Sequence, residues 1–83
     1  MKRDIKSIVL LLATQCMINL GEIEDPITKR ADVKLEKAEI FIDLLEELKL
    51  KTEGNLTEEQ KEFITEVVNN LKSIYKKKNK IGY

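Results

Sequence analysis

The sequence predicts an all-α protein, a three-helix domain completed by homo-oligomerisation through its first helix. Apolar residues recur at helical spacing in three separate segments. Glycine, proline and a capping box fall between those segments. The composition, 42% hydrophobic and 36% charged with three Gly and one Pro, suits helices separated by few turns. A chain of 83 residues is one domain, and a domain of that size buries only about 60 to 65% of its unfolded surface, so its own core is thin.

The first helix is expected over about 4–20. At about 100° per residue, Ile5, Ile8, Val9, Leu12, Cys16 and Leu20 form a core-facing stripe. A second apolar surface lies on the other side, where Leu10 repeats at Met17 and Leu11 at Ile18, flanking the small residues Ser7 and Thr14. A helix apolar on two sides is normally buried on two sides. One face is therefore expected to pack on this chain and the other on a second copy, with Ser7, Leu10, Leu11, Thr14, Met17 and Ile18 as the oligomer interface of a homodimer.

The same run could be mistaken for a targeting segment. Met1-Lys2-Arg3, an apolar stretch and a cysteine resemble a lipoprotein signal. However, Ala13, Thr14 and Gln15 precede Cys16, where such a cleavage site needs a branched aliphatic residue three back and a small residue immediately before. A transmembrane helix needs roughly 20 apolar residues. Residues 8–20 are fewer and include Thr14, Gln15 and Asn19, so no membrane span is expected.

Gly21 is placed to end the first helix in a left-handed cap, and Asp25-Pro26-Ile27-Thr28 is turn chemistry, which makes residues 21–32 a connector. The second helix, over about 33–52, buries Ala38, Phe41, Ile42, Leu45 and Leu48. Asp32 or a neighbour is its expected N-cap, and Glu36, Glu39, Asp43, Glu46 and Glu47 lie on its wet side. Gly54 is expected to hold a left-handed cap after it, followed by a capping box between Thr57 and Gln60. The third helix, over about 58–77, carries the seam Phe63, Ile64, Val67, Val68, Leu71, Ile74 and Tyr75, and residues 78–83 read as a basic tail.

Several of these pieces occur together in one order: Leu20-Gly21-Glu22-Ile23, Asp25-Pro26, Ile42-Asp43-Leu44-Leu45, Lys51-Thr52-Glu53-Gly54-Asn55-Leu56-Thr57 and Tyr75. In this the chain resembles the bacterial family named domain of unknown function 1844, over roughly residues 8–76. The resemblance implies an intracellular helical protein and transfers no catalytic role, because the family carries no assigned activity. Lys29 stands where the family often has a glycine.

Chemistry is limited by what is missing. No histidine is present, so Ser-His and Cys-His nucleophilic pairs and histidine metal sites are excluded within this chain. Glu22, Glu24 and Asp25 lack the alternating ligand loop of an EF-hand and read as a solvated acidic turn. Glu46 and Glu47 read as solubilising charge, and Cys16, on the core stripe, as a small inert hydrophobe. The lone cysteine forms no internal disulfide and suits a reducing cytoplasm. No catalytic residue, metal or cofactor is expected.

Fifteen basic residues balance fifteen acidic ones, yet the charge is polarised along the chain. Residues 36–66 hold ten acidic and four basic residues, whereas 72–83 hold five lysines and no acid. Lys72, Lys76, Lys77, Lys78 and Lys80 are candidate phosphate contacts, with Tyr75 available to stack a base. The simpler reading is that these lysines complement a helix C-terminus and solubilise its end; pairing with the acidic second helix of a neighbour is a third use. The function expected is a non-enzymatic, self-associating interaction or scaffolding module in the cytoplasm, with an unidentified protein partner. The alternative is a weak nucleic-acid binder through the lysine cluster.

Overall fold

The computed structural model describes residues 4–81. It contains three helices, α1 (Ile5–Asn19), α2 (Leu35–Lys51) and α3 (Glu58–Ile81), and every pair of them is in contact. The last two residues of the expected basic tail, 82–83, and the opening Met1-Lys2-Arg3 lie outside the described residues. Residues 78–81 are helix and not tail, since α3 runs on to Ile81. No proline or glycine interrupts the sequence between Thr57 and Ile81, so nothing local stops the helix at the point where its apolar seam runs out.

α1 starts at Asp4, whose carboxylate accepts the Lys6 amide at 3.0 Å as an N-cap. That backbone bond favours the ionised carboxyl and holds its pKa below the usual aspartate value. α1 ends in a full Schellman motif, with the Gly21 amide donating to Ile18 O at 3.1 Å and the Glu22 amide to Met17 O at 3.0 Å. Gly21 sits at φ 77°, and a Cβ there would meet Val33 Cγ2 at 2.9 Å, so both conformation and space demand glycine.

The connector then doubles back. Asp25 and Arg30 close a loop, the Asp25 amide donating to Arg30 O at 2.9 Å and the Lys29 amide to Asp25 O at 2.8 Å. Lys29 completes it at φ 62°, in the left-handed region that favours glycine. An isolated antiparallel bridge joins Leu20 to Val33, and the Lys34 amide donates to Asn19 O at 2.6 Å. This bridge corrects the expected cap of α2. The N-cap is Lys34, with no side-chain hydrogen bond, while Asp32 lies before the bridge and faces Arg30 at 3.8 Å. Tertiary pairing to the end of α1 positions the chain there, and a side-chain cap does not.

The bridge makes α1 and α2 antiparallel neighbours, and α3 returns alongside α1 in the same direction. At one end Gln60 donates to Asp4 at 3.0 Å and Lys6 pairs with Glu59; at the other Lys78 pairs with Glu22 at 3.1 Å. Against α2, Lys72 pairs with Glu46 at 2.9 Å and the Tyr75 hydroxyl donates to Glu39 at 3.2 Å. Val9, Cys16 and Leu20 from α1 and its cap, Ala38, Ile42 and Leu45 from α2, and Ile64, Val68 and Leu71 from α3 make one buried core. Among the described residues the Cα envelope is 40 × 30 × 16 Å, which leaves no further layer to cover the back of α1.

The turn into α3 departs in detail from expectation. The reciprocal capping box is present, the Thr57 amide donating to Gln60 Oε1 at 2.9 Å and the Gln60 amide to Thr57 Oγ1 at 3.1 Å. Gly54 is left-handed at φ 85°, but Thr52 caps α2, and Gly54 is the third residue of the turn that the Asn55 amide closes onto Thr52 O at 2.9 Å. A Cβ at Gly54 meets nothing within 4 Å, so substitution costs backbone strain alone. Gly54→Val is expected to lower stability by about 1 to 2 kcal/mol and Gly54→Asn by less, read as shifts in a urea or thermal melt. Equal melts for all three would show that the turn relaxes.

Candidate functional site

From Ser7 to Leu20 the sequence contains no charged residue. α1 spends one side of this stretch on the core, where Val9, Cys16 and Leu20 are fully buried. The other side stays open, with Ile8 49%, Leu10 54% and Leu11 63% exposed and Ser7 and Thr14 also at the surface.

Three placements differ from the sequence-based expectation. Ile8, assigned to the core stripe, stands open, because α2 and α3 close on an arc of α1 centred near Val9 and Cys16, and Ile8 lies about 100° from Val9. Met17, assigned to the interface, is packed against the core, and Ile18 is half-buried in a crevice that it and Asn19 share with Asp25, Thr28 and Arg30 of the connector. The Schellman turn swings the connector back over the last turn of α1 and covers that end. Of the six residues read as an interface, Ser7, Leu10, Leu11 and Thr14 are exposed together, Met17 and Ile18 are not, and Ile8 joins the exposed group.

The lysine cluster is divided in the same way. Lys72 is engaged with Glu46, and Lys78 with Glu22, so both act as inter-element contacts. Lys76, Lys77 and Lys80 are exposed and make no ion pair among the described residues. Tyr75 is half-buried, packs against the core and donates to Glu39, which commits the ring that might otherwise stack a base.

No group of three or more His, Cys, Asp or Glu side chains is arranged to hold a metal ion among the described residues. A crevice of about 600 Å³ lies where α2 turns into α3 and mixes Glu46, Glu47, Lys49, Glu53 and Lys61 with Leu50 and Leu56. No described helix is long and apolar enough to cross a membrane.

A family model described as Domain of unknown function (DUF1844) matches residues 2–77 of the chain. Neither a curated protein nor a solved structure matches it.

Cys16 is the chain's single thiol, and it is buried where α1 crosses α2, its Sγ–H donating to Ala38 O at 3.4 Å. Burial penalises the thiolate and pushes the pKa up to about 11. The expected outcome is that Cys16 resists a disulfide reagent at pH 8 in the native protein and reacts at once in denaturant. Rapid native labelling would show that the α1–α2 crossing opens readily.

Proposed function

We infer that this chain, which belongs to the family described as Domain of unknown function (DUF1844), is a non-enzymatic helical module that associates with itself and presents the pair to a protein partner. The observation that carries this reading is the open side of α1. In a chain 36% charged, the exposed side of α1 carries no charge from Ser7 to Gln15. Interface centres are depleted of charge in this way, whereas a solvated helix face is ordinarily rich in it. Ile8, Leu10 and Leu11 are each about half exposed, and covering them contributes roughly 1 kcal/mol or more apiece. A buried, unpaired cysteine and the absence of a membrane-spanning helix among the described residues support a cytoplasmic setting.

Sedimentation of the protein at tens of micromolar is expected to give a dimer. Leu11→Lys combined with Leu10→Glu should yield a monomer with near-unchanged helicity, because neither side chain belongs to the core. A charge reversal at Asp43, exposed on α2, should leave the dimer intact. A folded wild-type monomer at that concentration would reject self-association.

The exposed Lys76, Lys77 and Lys80, with no acid after Glu66, favour a second reading in which α3 touches phosphates. Three free cations provide a shallow salt dependence at most. Titrating labelled RNA and DNA at low salt should show affinity weaker than micromolar that the triple substitution to Gln abolishes. Tight binding, or binding indifferent to those three residues, would overturn the assignment of this segment.

A further inference from the structure

We propose that the second copy docks across α1 and α2 together, through a two-fold axis that runs crosswise to the helices and sets Lys37 of each copy against Glu47 of the other. This rests on the self-association inferred above and specifies its surface and register.

The face is wider than α1. α2 turns Glu39 and Glu46 toward α3, where Tyr75 and Lys72 hold them. At about 100° per residue, Ile40 and Leu44 therefore lie on the other flank, which borders α1. They are 56% and 42% exposed. Because α1 and α2 run antiparallel, with Cys16 level with Ala38, Leu44 lies at the height of residues 9–10 and Ile40 at that of residues 13–14. Ile8 and Leu11 thus share one open surface with Ile40 and Leu44. An area comparison favours this surface. A specific interface covers on the order of 800 Å² per partner, whereas a strip about 22 Å long and one helix wide offers only some 200 to 300 Å² of footprint. Including α2 doubles it, which suits a weak but specific pair.

The charges choose the axis. Ile40 and Leu44 stand two residues either side of Ile42, and Lys37 and Glu47 stand five either side. Lys37 lies one heptad before Leu44 and Glu47 one heptad after Ile40, so each continues the stripe of an open apolar residue, Glu47 also reaching the rim of the α2–α3 crevice. Both are exposed, and neither has an ion-pair partner among the described residues. A two-fold axis crosswise to the helices at the height of Ile42 sets α2 antiparallel to its symmetry mate. Ile40 then meets the mate's Leu44, Lys37 meets the mate's Glu47, and Leu11 lies almost on the axis beside its own copy. An axis along the helices would instead set α1 against the mate's α2 and bring no opposite charges together. The surface is self-complementary in the first arrangement only.

Mixing tests this arrangement. Lys37→Glu places two like-charged pairs in its own homodimer, as does Glu47→Lys, so each variant alone should dimerise at least about tenfold more weakly at low salt. Mixed one to one, they should form a heterodimer with both pairs restored and an affinity within about threefold of wild type, read by sedimentation or native mass spectrometry. That recovery also shows both variants to be folded. Wild-type-like dimers of each single variant, or two monomers that do not recover on mixing, would overturn this register while leaving self-association standing. A monomeric wild type would remove the reading beneath it.

Discussion

The close crossing of α1 and α2 at Cys16 and Ala38 is the constraint on which the rest of the molecule depends. Both residues are fully buried, and both are small. A Leu at either position would hold the helices apart, whereas a thiol against a backbone carbonyl at 3.4 Å brings them into direct contact. Because the crossing sits near the end of α1, the chain must reverse within a few residues. Gly21 makes the reversal possible, since a Cβ there would collide with Val33. The Leu20–Val33 bridge follows from the same geometry, and it starts α2 without a side-chain cap. α3 fills the groove the first two helices leave, with Ile64, Val68 and Leu71 inserted and polar pairs holding each end.

That order of dependence explains which features could be read from the sequence. Three helices follow from the apolar periodicity, and the Thr57–Gln60 box from local chemistry that needs no tertiary partner. Gly21 and Gly54 were legible as left-handed positions because φ above zero is a local demand that glycine meets. What could not be read depends on distant residues. Lys34 replaces Asp32 at the start of α2 because residues 33–34 pair with the end of α1. Ile8 is open and Met17 partly buried against the core because periodicity fixes positions around a helix but not the centre of the arc that its neighbours occupy. A shift of that centre by one residue's angle moves a side chain from core to rim.

The candidate site follows the same rule. An uncharged run from Ser7 to Leu20 can be seen in the sequence, and so can the lysines after residue 72. Their division into engaged and free groups needs the fold. Lys72 and Lys78 are held by Glu46 and Glu22, residues far away in sequence, which leaves three lysines where five had been counted. Ile40 and Leu44 escaped notice because the solvent side of α2 is mostly charged, and two apolar residues on that side signal little until α1 is placed beside them.

Charge and apolar surface are segregated in this protein by helix flank as well as by depth. The acids of α2 that face α3 are matched by Lys72 and Tyr75, and the ends of α1 and α3 are joined by Lys6 with Glu59 and Lys78 with Glu22. Such exposed pairs contribute little stability each, typically under about 1 kcal/mol, so their value lies in orientation. They fix α3 on one side of the α1–α2 pair and thereby leave the opposite side open. A third helix free to slide could have covered Ile8, Leu11 and Leu44, trading the polar contacts for apolar burial. Burial makes that rearrangement costly, since moving the helix would withdraw Ile64, Val68 and Leu71 from the core as well as break the contacts at its ends. The open face is thus a consequence of where α3 is held, and the same placement that completes the core for one copy leaves surface for another.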